Sequence, residues 1–316
     1  MLGRPLWEDL TVTSADLVHL PDGRRAHYWQ GGAPDGPVVM FMHGCPDSRL
    51  AASTGDAAAQ RAGIRLVAVS RPGYGLSDSF PSGHISVADD TVAVADLLGA
   101  DRFAVLGMSV GGSYALACAA RHPDRVSAVG VVAGPAMLPE LDPPCHRDDL
   151  SPTQQEFAAR LAASTVDEVV ELLRPDFEEY VERVEPKDID DVAVVRRMTE
   201  GLHAQDVALL TELPPAQVAA MVREALACTD GYLRDAAAIF RAWEMRPEQV
   251  SCPTFLWYGE LDANASVRNR RWLAEHVPNS TLVVRESTAH LATLLRHWDE
   301  ILAALRVSPI TERDRG

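Results

Sequence analysis

Short apolar runs bounded by turn residues recur along the chain and predict the strands of a sheet. Residues 38–42 read Val-Val-Met-Phe-Met, a continuous apolar run that is typical of a strand buried on both faces. A hairpin is predicted before this run, because residues 14–20 and 24–30 flank the turn sequence Pro-Asp-Gly at 21–23. Further runs complete a set of eight strands and cover residues 65–69, 103–106, 126–132, 254–257 and 281–284.

Helical patterns fill the intervals between most of these strands. They cover residues 51–62, 87–98, 112–121, 267–276 and 291–305. The alternation of strand and helix predicts an α/β fold, in which a mostly parallel, doubly wound sheet of eight strands carries helices on both faces.

One long segment, residues 136–247, breaks this alternation. It contains no strand pattern, and its helical patterns begin with clear start signals. Ser-Pro-Thr-Gln at 151–154 matches a capping box with proline at the first helical position, and Thr-Val-Asp-Glu at 165–168 matches another. We therefore predict a helical cap subdomain over 136–247, inserted into a core that comprises residues 1–135 and 248–316.

Polar and glycine residues follow five of the predicted strands directly. Because the carboxyl ends of parallel strands meet at one edge of a sheet, these segments are candidates for a common site. The segments are His-Gly-Cys-Pro-Asp-Ser at 43–48, Ser-Arg-Pro-Gly-Tyr-Gly-Leu-Ser at 70–77, Gly-Met-Ser-Val-Gly at 107–111, Gly-Glu-Leu-Asp at 259–262 and Ser-Thr-Ala-His at 287–290.

The third of these segments has the pattern Gly-x-Ser-x-Gly between a strand and a helix. In that context the serine, Ser109, would lie on a sharp and strained turn with its hydroxyl clear of the sheet. Gly107 and Gly111 have no Cβ, so the chain can bend there and the helix can pack closely. The pattern alone is common. Because a predicted strand precedes it and a predicted helix follows it, we predict that Ser109 is a catalytic serine.

Taken together, these motifs resemble the capped, lipase- and esterase-like α/β-hydrolase fold family over residues 14–135 and 248–306. The matching order is His-Gly-x-Pro, Arg-Pro-Gly-Tyr-Gly-x-Ser, Gly-x-Ser-x-Gly-Gly, Gly-Glu-x-Asp and a late histidine. The resemblance implies Ser109 as nucleophile, Asp262 as acid and His290 as base. Two positions depart from the family pattern: Ala289 stands where glycine is usual, and Ser70 where aspartate is frequent.

Elementary chemistry supports these roles. A serine hydroxyl is a weak nucleophile near neutral pH and needs a base, for which histidine has a suitable pKa. The base in turn needs a carboxylate that fixes its tautomer and stabilises the imidazolium. The tetrahedral intermediate needs hydrogen-bond donors, and the backbone N–H groups of Cys45 and Val110 are expected to form this oxyanion hole.

Some assignments have rivals. Glu140 or Asp142, after the sixth strand, could supply the acid instead of Asp262, as in some relatives of the family. His43 also follows a strand, but the resemblance gives it a structural role near the oxyanion loop. Cys45 has no neighbouring base in the sequence, so packing or main-chain donation is the expected role.

We expect a serine hydrolase that cleaves an ester, a lactone or a similar acyl bond of a small to medium apolar substrate through an acyl-enzyme, without a cofactor or a metal. A serine at the elbow argues against the chemistry of haloalkane dehalogenases and epoxide hydrolases, which use aspartate there. Carbon–carbon bond hydrolysis, prolyl aminopeptidase-like cleavage, thioester hydrolysis and acyl transfer stay open. So does a non-hydrolytic ligand-binding protein that retains the three residues.

Composition limits the partners. The 316 residues carry a net charge of −16, which disfavours nucleic acid and anionic membranes. Half of this charge lies between Asp167 and Asp191, a segment with eleven acidic and three basic residues. The simplest interpretation is a helix surface that is exposed to solvent. The five scattered cysteines have no metal-ligand spacing and predict reduced thiols in a cytoplasmic protein. A small-molecule substrate is the expected partner, and a homodimer is left open.

Overall fold

The computed structural model describes residues 16–186 and 188–306. The first two residues of the strand predicted at 14–20, and the outermost parts of the predicted core (1–15 and 307–316), lie outside the described residues.

Within the described residues, the sheet has eight strands in the order β1-β2-β4-β3-β5-β6-β7-β8. The pairs β1–β2 and β2–β4 are antiparallel and the other pairs are parallel, so the predicted α/β-hydrolase architecture is confirmed. The strands are β1 Leu17–His19, β2 Arg25–Gly32, β3 Val38–Met42, β4 Arg65–Val69, β5 Phe103–Met108, β6 Val126–Val132, β7 Thr254–Gly259 and β8 Ser280–Arg285.

Burial along the strands follows their place in the sheet. Every residue of β3 and β5 is buried, as continuous apolar runs in the centre of a two-sided sheet require. The edge strand β8 is different, since Leu282 and Val284 are exposed there. Ser109 follows the buried central strand β5, whereas Asp262 and His290 follow β7 and the edge strand β8.

The helices of the core and of the inserted segment are numbered together in chain order. They are α1 Asp56–Ala62, α2 His84–Leu97, α3 Gly111–Arg121, α4 Pro152–Ala163, α5 Val166–Val184, α6 Asp191–Met198, α7 Ala204–Glu212, α8 Pro215–Leu226, α9 Asp230–Ile239, α10 Val267–His276, α11 Ala292–Leu295 and α12 Trp298–Leu305.

Two helical predictions differ from the structure in detail. The segment predicted as one helix over 51–62 is a 3-10 helix, Arg49–Gly55, followed by α1. The helix predicted over 291–305 is divided into α11 and α12, because His297 between them has a non-helical backbone, with φ −126° and ψ 17°. The short α11 begins two residues after His290, the candidate base, and is a separate helix from α12.

Among the described residues, six α-helices, α4–α9, lie between β6 and β7, and we call them the cap helices. Both predicted capping boxes are formed. The Ser151 side chain accepts a hydrogen bond from Gln154 N, and Ser151 N donates one to the Gln154 side chain. Thr165 and Glu168 form the same pair of hydrogen bonds. Several cap helices share an apolar cluster of their own, in which the rings of Phe177 and Tyr232 stack with 3.7 Å between centroids. The division into a core of 1–135 and 248–316 and a cap of 136–247 stays a prediction.

None of the helices over residues 16–186 and 188–306 combines the length and the apolar character that crossing a membrane requires.

Candidate active site

Ser109 lies at the turn between β5 and α3 and has a φ of 54°. This left-handed conformation is uncommon for a residue with a side chain and is strained. The surrounding chain holds it: Ser109 N donates to Val132 O at 2.8 Å, and Gly112 N donates to Ser109 O at 2.8 Å. The strain is therefore imposed by the neighbouring strand and by the first turn of the helix.

Two glycines make this turn feasible. A Cβ on Gly107 would lie 2.2 Å from Gly111 O, and a Cβ on Gly111 would lie 2.2 Å from Met42 O. Such distances are too short for any side chain, so glycine is required where α3 begins against the end of β3. This close approach brings the start of α3 next to the loop that follows β3.

Asp262 and His290 follow β7 and β8 and are in direct contact. His290 Nδ1 and Asp262 Oδ2 lie 2.7 Å apart, and the Asp262 side chain is fully buried. The other carboxylate oxygen accepts hydrogen bonds from Asn264 N at 2.8 Å and from Ala265 N at 3.0 Å. The carboxylate is therefore fixed in place, and it in turn orients the imidazole so that Nε2 is left for other chemistry.

The electrostatics of this pair favour charge on both members. Burial opposes protonation of His290, but the charge and hydrogen bond of Asp262, with a contribution from Asp206, outweigh it and raise the pKa of His290. Burial likewise opposes ionisation of Asp262, but the charge and hydrogen bond of His290 and the two backbone donors lower the pKa of Asp262. The imidazolium that a general base forms is thus stabilised.

The loop after β3, residues 43–48, lies directly beside the serine, and we call it the β3 loop. A Cβ on Gly44 would lie 3.6 Å from Ser109 Cβ. Burial is the main cause that holds the pKa of His43 well below its usual value, so the ring is neutral. His43 Nε2 accepts from Arg71 N at 3.1 Å, so Nδ1 carries the proton and donates to Gly44 O at 2.8 Å.

Arg71 joins the β3 loop to the cap. Its guanidinium donates to His43 O at 2.5 Å and to Gly44 O at 2.9 Å, and it donates to Asp235 Oδ2 of α9 at 2.6 Å. The hydroxyls of two buried tyrosines, Tyr74 and Tyr114, also donate to the Asp235 carboxylate, each at 2.6 Å.

The rival site residues have different surroundings. Glu140 Oε2 lies 4.0 Å from His276 Nε2, and Asp142 is exposed. Burial raises the pKa of the Cys45 thiol to about 12, so this thiol is protonated at neutral pH and a poor nucleophile. The structure thus brings Asp262 and His290 together, and Cys45 directly follows Gly44, which lies beside the serine turn.

Sequence reasoning missed three cap residues that contact the site segments. Asp235 binds Arg71, while Gln205 and Asp206 at the start of α7 accept hydrogen bonds from the backbone around His290. No motif marks them, since they lie in helices whose sequence resembles any solvated helix. Over the described ranges 16–186 and 188–306, no group of three or more His, Cys, Asp and Glu residues is arranged to hold a metal ion.

Comparisons with known proteins agree with this architecture. A family model described as "alpha/beta hydrolase fold" matches residues 37–179. A relative from Chromobacterium violaceum, pimeloyl-[acyl-carrier protein] methyl ester esterase, is 30% identical over 274 residues, which is 85% of this chain and 93% of the relative.

Solved structures show the same fold. A hydrolase from Pseudomonas aeruginosa has a TM-score of 0.64 at 17% identity and covers 94% of this chain and 100% of its own. The enol-lactonase from Burkholderia xenovorans has a TM-score of 0.63 at 18% identity, over 91% of this chain and 97% of its own. The chain therefore belongs to the α/β-hydrolase fold family and is a hydrolase.

Proposed function

We propose that the protein is a serine esterase in which Ser109 is the nucleophile, His290 the general base and Asp262 the orienting acid. The observation that carries the proposal is the 2.7 Å contact of His290 Nδ1 with Asp262. These two residues follow β7 and β8 of the same sheet in which β5 presents the strained Ser109. These are the parts that nucleophilic acyl transfer requires.

In the first half-reaction the Ser109 hydroxyl attacks the ester carbonyl carbon. The new bond joins Oγ to that carbon, the hydroxyl proton passes to His290 Nε2, and the carbonyl π electrons move to its oxygen. When the tetrahedral intermediate collapses, the bond to the leaving alkoxide breaks and His290 returns the proton to it. Water then repeats the sequence on the acyl-enzyme, which releases the acid and free Ser109.

The oxyanion is stabilised by the backbone N–H groups of Cys45 and Val110. The proximity of Gly44 to Ser109, and of Gly111 to the end of β3, supports this assignment, because both donors belong to segments packed against the serine turn. Main-chain donors held by rigid neighbours need no reorganisation during the reaction, which is the main source of their effect. Arg71 fixes the β3 loop through the carbonyls of His43 and Gly44.

An ester of a small to medium apolar acid is the proposed substrate. The relative from C. violaceum is by name a methyl ester esterase, which favours an ester over an amide or a carbon–carbon bond. The net charge of −16 disfavours strongly anionic substrates. We also propose that the protein acts in the cytoplasm on a free small molecule and needs no cofactor.

Labelling with a fluorophosphonate probe, followed by peptide mass spectrometry, tests the nucleophile. We expect the adduct on Ser109, no label in Ser109→Ala, and unchanged labelling in Ser79→Ala, an exposed serine. Turnover should then be measured on p-nitrophenyl and methyl esters, lactones, thioesters, prolyl amides and a diketone. An unlabelled Ser109 in folded protein would favour a non-hydrolytic ligand-binding protein, and turnover confined to another substrate class would replace the ester assignment.

A further inference from the structure

The first turn of cap helix α7 contacts the loop that carries His290. Gln205 uses both ends of its amide: Oε1 accepts from Ala289 N at 2.7 Å, and Nε2 donates to Ser287 O at 3.1 Å. The next residue, Asp206, accepts from Ala292 N through Oδ1 at 2.9 Å. Two consecutive cap residues therefore bind the backbone on both sides of His290.

The core binds the same loop from the other direction. Leu261 N donates to Thr288 O at 2.9 Å, and Ser287 N donates to Glu260 Oε2 at 3.1 Å. The segment that precedes Asp262 thus supports one side of the loop, and α7 supports the other. Without the α7 contacts, the backbone N–H groups of Ala289 and Ala292 would lose these acceptors.

Asp206 is an unusual residue to find here, since its side chain is buried and its Oδ1 accepts a hydrogen bond from a neutral backbone group. A buried carboxylate is costly unless a positive charge or several donors compensate it. One group that can become positive and that interacts with Asp206 is His290. Burial disfavours the charged form of its ring, whereas the negative charges of Asp262 and Asp206 favour it. His146 also interacts with His290, but burial lowers the pKa of His146 to about 4, so its ring is neutral at neutral pH.

We propose that Gln205 and Asp206 are positioning residues for His290, with Asp206 acting as a second negative charge that stabilises the imidazolium formed during acyl transfer. The inference rests on the proposed esterase mechanism for its kinetic consequence. Its structural part concerns how the cap fixes the base. In this proposal the cap contributes to catalysis by holding the loop that carries His290.

The charge is tested with Asp206→Asn, which keeps an oxygen that can accept from Ala292 N and removes the negative charge. We expect the titration of the His290 ring, followed by NMR of labelled histidine, to move to lower pH than in the wild type. The matched control is Glu212→Gln, which removes one negative charge from the exposed end of the same helix and should leave the His290 titration in place. An unchanged titration in Asp206→Asn would overturn the charge assignment.

The positioning is tested with Gln205→Ala, which removes both hydrogen bonds to the His290 loop without altering charge. Because a small displacement of a base weakens proton transfer more than substrate binding, kcat for an ester should fall about 10- to 100-fold while KM changes little. Thermal unfolding checks that the variant folds. If kcat is retained, or if KM rises while kcat does not fall, Gln205 does not position the base.

The two proposals fail in different ways. If Ser109 is not the nucleophile, Ser109→Ala retains activity. The NMR titration of His290 in Asp206→Asn still shows in that case whether the Asp206 charge acts on His290. If only the present inference is wrong, the wild type hydrolyses esters and labels at Ser109, and Asp206→Asn keeps both the His290 titration and the acid limb of the kcat/KM profile of the wild type.

Discussion

Arg71 and Asp235 form a buried ion pair, with 2.6 Å between Nη2 and Oδ2 and side-chain exposures of 3% and 5%. The pair links the β3 loop, through the carbonyls of His43 and Gly44, to cap helix α9. Burial and the Asp235 charge raise the pKa of Tyr74 well above its usual value, so this phenol remains a donor to Asp235. The carboxylate is therefore surrounded by donors and compensated in charge.

Asp235→Ala should be strongly destabilising. The substitution leaves the Arg71 guanidinium buried without its counter-charge, and removing one member of such a pair costs about 3–5 kcal/mol. The free energy of unfolding from denaturant titration measures the loss. The exposed pair Arg61–Asp299, with exposures of 61% and 67%, provides the control, and Asp299→Ala should lower the free energy of unfolding far less than Asp235→Ala does, because water screens the exposed charges. Equal losses in the two variants would contradict the role assigned to the buried pair.

Motifs with fixed local geometry could be predicted from the sequence. The strand–turn–helix around Ser109, the capping boxes at Ser151 and Thr165, and the polar segments after the strands depend on residues close together in the chain. The segments that contain Asp262 and His290 could be assigned to the same edge of a parallel sheet, although the pairing of these two residues was implied by the resemblance to the α/β-hydrolase family. These features need only strand order and local backbone chemistry.

The contacts between cap and core could not be predicted. Arg71 and Asp235 are 164 positions apart, and Asp206 and Ala292 are 86 apart. Nothing in the helical pattern of α7 or α9 distinguishes a carboxylate that will be buried against the core from one that will be solvated. The packing of the cap against the edge of the sheet determines which carboxylates are buried, and this packing cannot be read from a single sequence.

The pH dependence of kcat/KM should have an acid limb with its midpoint above 6.5, the ordinary value for histidine. In the proposed mechanism, His290 must be neutral to accept the Ser109 proton, and the charges of Asp262 and Asp206 outweigh burial and raise the pKa of His290. Activity is therefore low where His290 is protonated and rises as the pH passes through the raised value. A profile of kcat/KM between pH 5 and 9 checks this, and a midpoint below 6.5 would contradict the assigned electrostatics.

Asp262→Asn should reduce kcat by about 10⁴-fold, because an amide at this position can donate to Nδ1 and hold the wrong tautomer. The fold should be retained, since the side chain keeps an oxygen for the N–H groups of Asn264 and Ala265. Glu140→Gln and Asp142→Asn are the matched controls at the rival positions, and each should keep kcat within a few-fold of the wild type. If kcat fell strongly in either control and was kept in Asp262→Asn, the acid would be the residue changed in that control and not Asp262.

Gly111→Ala should disrupt the serine turn, whereas Gly44→Ala should be accepted by the fold. The methyl group on residue 111 would lie 2.2 Å from Met42 O, a backbone atom that cannot move without displacing β3. At residue 44 the nearest atom is Ser109 Cβ at 3.6 Å, an ordinary contact that adds bulk beside the nucleophile.

We therefore expect Gly111→Ala to lower the melting temperature markedly and to abolish labelling of Ser109. Gly44→Ala should melt near the wild-type temperature and still react with a small fluorophosphonate, while KM for larger esters rises because the added methyl group narrows the space next to Ser109. Wild-type melting and labelling in Gly111→Ala would show that α3 does not begin against β3 as described.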